Sequence, residues 1–190
     1  MKLFWGGVDD NKIAEKLLSY IPKDFSGKLL DVPVGTAVFT HRKYKELENA
    51  EIICLDYSLD MLELAKRRFR ENSINNVKTI QGDVGKLPFS DEVFDILLCM
   101  NGVHVFPEKE KSYEEIHRVL KKGGKLLASF YIKGESKISD TLVKIVLAKK
   151  GWFNPPFETA TSLKTKLLEN YVLENFYTDG AIAYFLATKK

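Results

Sequence analysis

The chain has 190 residues, of which 45% are hydrophobic and 29% charged, and a formal net charge of +3. That length suits one ordinary domain around a single core, and the balance excludes disordered and fibrous classes. The opening MKLFWGGVDDNK reaches glycine and acids too early for a signal-peptide core, and no stretch approaches the ~20 apolar residues of a membrane span, so a cytoplasmic protein is expected.

In chain order, Ile13, Leu17 and Ile21 at helical spacing predict a first helix that opens near Asp9 or Asp10 and stops before Pro22. KLLDVPV is a near-continuous apolar run, as expected of a strand covered on both faces, and a glycine-poor turn leads from it into a helix carrying His41. AEIICLDYS reads as the second strand. The helix after it repeats Leu59, Leu62, Ala65 and Phe69, with Ser58 placed to cap it and Asp60 near its positive end. VKTIQGD and VFDILLCM are strands three and four. EEIHRVLKKGG predicts a helix, carrying His117, that ends at the glycine pair before strand five, KLLASFYIK. SDTLVKIVLAKKG and SLKTKLLEN read as two more helices, and YVLENFYTDGAIAYFLATK as a hairpin turning at Thr178, Asp179 and Gly180. Strands alternating with helices predict an α/β fold with a largely parallel sheet and one antiparallel strand. One domain is expected over 1–190: a helix or lid over 1–25, a core over 26–133, and C-terminal helices and hairpin over 134–190.

In open α/β sheets ligands bind beyond the carboxyl ends of the strands. Strand one delivers Asp31, Pro33 and Gly35 there, strand two Asp56 and Tyr57, strand three Gly82 and Asp83, and strand four Met100, Asn101 and His104. Three carboxylates on one rim repel one another unless a cation or a donor-rich group sits among them. Asp95 opens strand four at the opposite edge and reads as structural. Cys54 and Cys99 lie in apolar runs, as buried thiols rather than metal ligands or a disulfide. The basic cluster of Lys66, Arg67, Arg68 and Arg70 reads as a solvated helix face. With no basic segment interleaved with aromatics, nucleic acid is disfavoured as a partner.

These residues resemble the class I S-adenosylmethionine-dependent methyltransferases, particularly the small-molecule, quinone-methyltransferase-like branch. The resemblance runs from about residue 27 to 132 on LLDVPVGTAVFT, CLDYSLDML, GDVGKLPFSDEVFDILLC and EEIHRVLKKGGKLLASFY, four motifs in order at the correct strand ends. It implies a single-domain Rossmann-like sheet of seven strands, ordered 3-2-1-4-5-7-6 with strand seven antiparallel and helices on both faces. In that order strand one separates Cys54 from Cys99 by about 9–10 Å, beyond disulfide reach. The resemblance further implies S-adenosyl-L-methionine as cofactor and S-adenosyl-L-homocysteine as product. Asp56, beside Tyr57, would accept hydrogen bonds from the ribose hydroxyls. Asp83 and Val84 would hold the adenine amino edge, and Met61 would pack on the adenine ring. The backbone around Pro33 and Gly35, near Asp31 and Met100, would receive the methionine moiety.

A dinucleotide is the rival cofactor, since an acid on ribose is common to both families, but DVPVGTAVF has only Gly35 where pyrophosphate binding needs G-x-G-x-x-G. Pro33 retains the carbonyl that faces the ligand, and Ala37 is the position under strain if the turn needs positive φ there. His104, just past strand four, is the best-placed general base for a hydroxyl or carbon acceptor. NPPF, residues 154–157, matches a motif of amino-group methyltransferases but falls after strand five, so it reads as loop chemistry within a lid or substrate loop over 151–162. Phe4, Trp5, Trp152 and Phe153 lie where this family roofs its site. The expectation is methyl transfer to a small-molecule acceptor by a monomer or homodimer. The alternatives are a cofactor-binding protein without methyl transfer and an RNA methyltransferase.

Overall fold

The computed structural model describes residues 8–190. Seven strands form one sheet: β1 (Lys28–Asp31), β2 (Glu51–Asp56), β3 (Val77–Gln81), β4 (Phe94–Met100), β5 (Leu120–Tyr131), β6 (Tyr171–Asp179) and β7 (Ile182–Lys189). Their order is β3-β2-β1-β4-β5-β7-β6, as expected, and β7 runs antiparallel to both of its neighbours.

Side chains alternate across the sheet, which divides the core in two. On one face Leu29, Ile52, Cys54, Ile96 and Leu98 pack against α1 (Asp10–Leu18), α2 (His41–Glu46), α3 (Leu59–Glu71) and the segment after β5, where α5 (Lys137–Leu142) runs on as a π-helix over Val143–Leu147. On the other face Leu30, Ile53, Leu55, Leu97 and Cys99 pack against α4 (Lys109–Val119) and α6 (Ala160–Asn170). Cys54 and Cys99 are buried free thiols on opposite faces. Among the described residues no helix is long and apolar enough to cross a membrane.

Local chemistry sets the boundaries. Asp9 caps α1, and the Ser58 hydroxyl accepts from the Met61 amide to cap α3, as its sequence predicts. Asp95 is structural: its carboxylate accepts the Lys28 amide at 2.8 Å and the Lys121 ammonium at 2.7 Å, tying β4 to β1 and β5. Two boundaries differ from expectation. Helix α4 ends at Val119, ahead of the glycine pair, because Leu120 already pairs with Phe94. Gly123, at φ 72°, then loops within β5 so that Lys125 meets Ile96. The terminal hairpin turns at Gly180 and Ala181, with Thr178 and Asp179 still paired in β6.

Candidate functional site

The carboxyl ends of β1 to β4 open onto a cleft with two compartments that meet at Pro33. The first, about 400 Å³, is lined by Leu55, Asp56, Tyr57, Asp83, Val84 and Phe106, with Val105 and Pro107 closing one side. The second, about 420 Å³, is lined by Asp31, Gly35, Met61, Met100 and Asn101 with the turn between β1 and α2.

Asp56 stands at the centre. Its Oδ2 accepts the Gly35 amide at 2.8 Å and its Oδ1 the Ser58 amide at 2.9 Å. These bonds fix the carboxylate between the first turn and the start of α3, and each oxygen keeps lone-pair capacity for a ligand diol. Asp83 caps a single 3₁₀ turn, Val84–Lys86, through the Gly85 amide at 2.8 Å, which leaves its second oxygen toward the first compartment. Tyr57 is exposed and forms its rim.

The turn adopts a left-handed backbone at both Gly35 and Ala37. Gly35 has φ 56°, and a Cβ there would meet no heavy atom within 4 Å, so the backbone presents open space to a ligand. Ala37 has φ 55°, a left-handed geometry that costs an L residue roughly 1 kcal/mol, while its methyl is buried in the core. Where Pro33 replaces glycine, its ring fills the space above Gly102. A Cβ on Gly102 would stand 2.4 Å from Pro33 Cδ.

Asp31 is 1% exposed, and its Oδ2 accepts the Tyr44 hydroxyl at 2.7 Å. Burial, opposed by that hydrogen bond and reinforced by the charge of Asp56, pushes its carboxyl up to about 7. The second compartment therefore holds a carboxyl poised to ionise beside a cation.

Met61 lines the second compartment with Gly35 and Met100. His104 lines neither compartment. It is 4% exposed, its ring stacks on Phe153 with centroids 4.2 Å apart, and its Nδ1 accepts the Tyr131 amide at 3.3 Å. That bond engages its lone pair and sets the neutral tautomer protonated at Nε2. Burial, with the nearby Lys109 ammonium, brings its pKa down to about 3.

Within residues 151–162, expected as a lid or substrate loop, Asn154 is tied to the segment after β4. The Asn154 amide donates to His104 O at 2.9 Å, Asn154 Nδ2 donates to Val105 O at 2.6 Å, and Lys109 Nζ donates to Asn154 O. Phe153 is buried, whereas Trp152 is exposed. Phe4 and Trp5 lie outside the described residues. Sequence reasoning missed Val105, Phe106 and Pro107, for which the apolar stretch after CMNG was the available signal, and Leu55, which directly precedes Asp56 in CLDYS. The Lys66–Arg70 cluster lies on a solvated helix face with local partners: Lys66 pairs with Glu63, Arg67 with Glu71, and Arg68 Nε donates to Thr36 O.

A family model described as a methyltransferase domain matches residues 24–166. The chain is 36% identical over 101 residues to a demethylmenaquinone methyltransferase from Staphylococcus saprophyticus, covering 53% of this chain and 42% of that protein. It is 33% identical over 114 residues to the ubiquinone/menaquinone biosynthesis C-methyltransferase UbiE from a Shewanella species, covering 58% and 45%. The matched stretch thus spans less than half of either relative. In fold, it resembles a SAM-dependent methyltransferase from Aquifex aeolicus with a TM-score of 0.72 at 18% identity, covering 96% of this chain and all of that one. Because the family match takes in every strand end that lines the cleft, the chain belongs to the methyltransferase-domain family.

Proposed function

We propose that the protein transfers a methyl group from S-adenosyl-L-methionine to a small, planar, quinone-like acceptor. The observation that carries this reading is the position of Asp56, whose carboxylate is held by two backbone amides where the compartments meet the β1 turn. Asp56 accepts the ribose hydroxyls. Asp83 and Val84 face the adenine edge while Leu55 and Phe106 enclose its ring, and Tyr57 borders it at the rim. Gly35 gives backbone approach to the methionine moiety, and Asp31 offsets its positive charge with Pro33, Met61 and Met100 around it.

Bound there, the cofactor supplies a methyl carbon already activated by its sulfonium. The chain's contribution is position and dryness: Val105, Phe106 and Pro107 keep water from one side, and a fixed Asp56 holds the ligand in register for in-line attack. His104 takes no proton in this reading, since its lone pair is engaged by Tyr131, and the proton displaced from the acceptor leaves to solvent. The names of the two relatives, both quinone-pathway methyltransferases, support a planar acceptor.

Incubation with methyl-labelled cofactor and a demethylated quinone supplied in its reduced hydroquinone form, whose ring carbon is nucleophilic, checks the reading. The expected result is label in the quinone ring. Cofactor binding without transfer to that quinone or to any metabolite extract would instead favour a binding protein without methyl transfer. Label appearing only in added RNA would favour the nucleic-acid alternative.

A further inference from the structure

We propose that the outward face of α5 and its π-helical continuation docks the protein onto an anionic lipid bilayer. Along this face Ile138, Leu142 and Ile145 recur at helical spacing. Ile138 is 74% exposed, Ile145 55%, and Trp152 at the end of the segment 58%. Ile138, Thr141, Leu142, Ile145 and Val146 form one shallow apolar groove. Isolated exposed apolar residues are ordinary, but a contiguous helical row marks an interaction surface, and an exposed indole follows five residues past the end of the helix.

Charge decides the occupant. Lys137, Lys144, Lys149 and Lys150 are all exposed around the row. Among the described residues none of them forms an ion pair, and Lys150 lies over the Trp152 ring at 4.8 Å. The nearby Asp140 is turned inward, accepting the Tyr131 hydroxyl at 2.6 Å and the Gly134 amide at 3.0 Å, so it does not neutralise the lysines. An apolar stripe with an aromatic anchor and a lysine border is the pattern of a helix lying in the plane of a membrane interface. Lysines that found no carboxylate within the fold would meet anionic headgroups instead.

The surface is also coupled to the cleft. The Trp152 and Phe153 amides donate to Leu147 O, and Asn154 two residues on is bonded to His104 and Val105. Docking would thus bring the wall of the first compartment near the bilayer, where apolar planar molecules dissolve. Binding itself does not depend on the acceptor's identity.

Sedimentation of the full chain with phosphatidylglycerol/phosphatidylcholine vesicles, beside pure phosphatidylcholine vesicles, tests this. Expected is binding to the anionic vesicles only, weakened by salt. Ile138→Ser with Ile145→Ser should weaken binding at least tenfold, and Lys144→Gln, Lys149→Gln and Lys150→Gln by about fivefold each. All five positions are exposed, so melting temperatures should stay unchanged. No binding to anionic vesicles by the unaltered protein, or binding indifferent to both sets of substitutions, would overturn the proposal. So would an isoleucine variant whose only effect is to turn a dimer into a monomer.

Discussion

Asp31 shows how one side chain links stability to ligand chemistry. A carboxyl near 3.9 in the unfolded chain and about 7 in the folded one keeps a native proton between those values that the unfolded chain has lost. The contribution of Asp31 to stability should therefore fall as pH rises through that window and level off above it, against the opposite contribution of His104. Asp31→Asn removes that contribution, leaving a steeper rise of stability with pH from His104, and should stabilise the free protein by roughly 1–3 kcal/mol at pH 8, read by urea denaturation, while weakening a cationic ligand severalfold. No change in the slope would show that Asp31 is ionised throughout. His104 has the opposite sign. Its pKa falls from about 6.5 to about 3, so it remains neutral where the unfolded chain takes a proton, and stability is lost as pH drops through that range. His104→Asn should flatten this acid limb and lower kcat less than tenfold. A loss of a hundredfold or more, the scale of a general base, would return His104 to the chemistry.

At the scale of elements, the turn after β1 and the segment after β4 are matched pieces. Gly102 has no room for a side chain because the Pro33 ring, Cys99 Sγ and Phe106 Cζ all lie within 3 Å of its absent Cβ. Gly102→Ala should cost about 1–3 kcal/mol by overpacking. Combined with Pro33→Gly, part of that cost should be recovered, a coupling of about 0.5–2 kcal/mol in a double-mutant cycle. Strict additivity would mean that the proline ring and Gly102 are independent. The strands and most helices could be read locally, because apolar runs, the Ser58 cap and the final hairpin are short-range signals. The burial of His104 could not, since it depends on Phe153, 49 positions later, and on a Tyr131 amide in the neighbouring strand. The same applies to the tie at Asn154, whose hydrogen bonds go to residues about fifty positions away. The end of α4 was misjudged for a related reason. Gly123 and Gly124 look like a helix stop but serve a loop within β5, which only the pairing with β4 reveals.

For the whole molecule, strand order and the placement of the rim carboxylates were legible together. Asp31, Asp56 and Asp83 sit at the ends of three adjacent strands because parallel connections return every strand in the same direction. What the sequence could not supply was the division of the cleft, which places Met61 in one compartment and Asp83 in the other. The glycine-poor turn likewise resolves at this scale: Pro33 is accommodated by Gly102 across β1 and β4, and Ala37 accepts a strained backbone while burying its methyl. The central claim is that Asp56 organises a nucleoside site, and isothermal titration of S-adenosylhomocysteine into the protein and into Asp56→Ala tests it most directly. One-site binding to the unaltered chain, weakened at least a hundredfold by the substitution with the fold intact, is the expected result. Equal affinity in both proteins, or no binding to either, would contradict it.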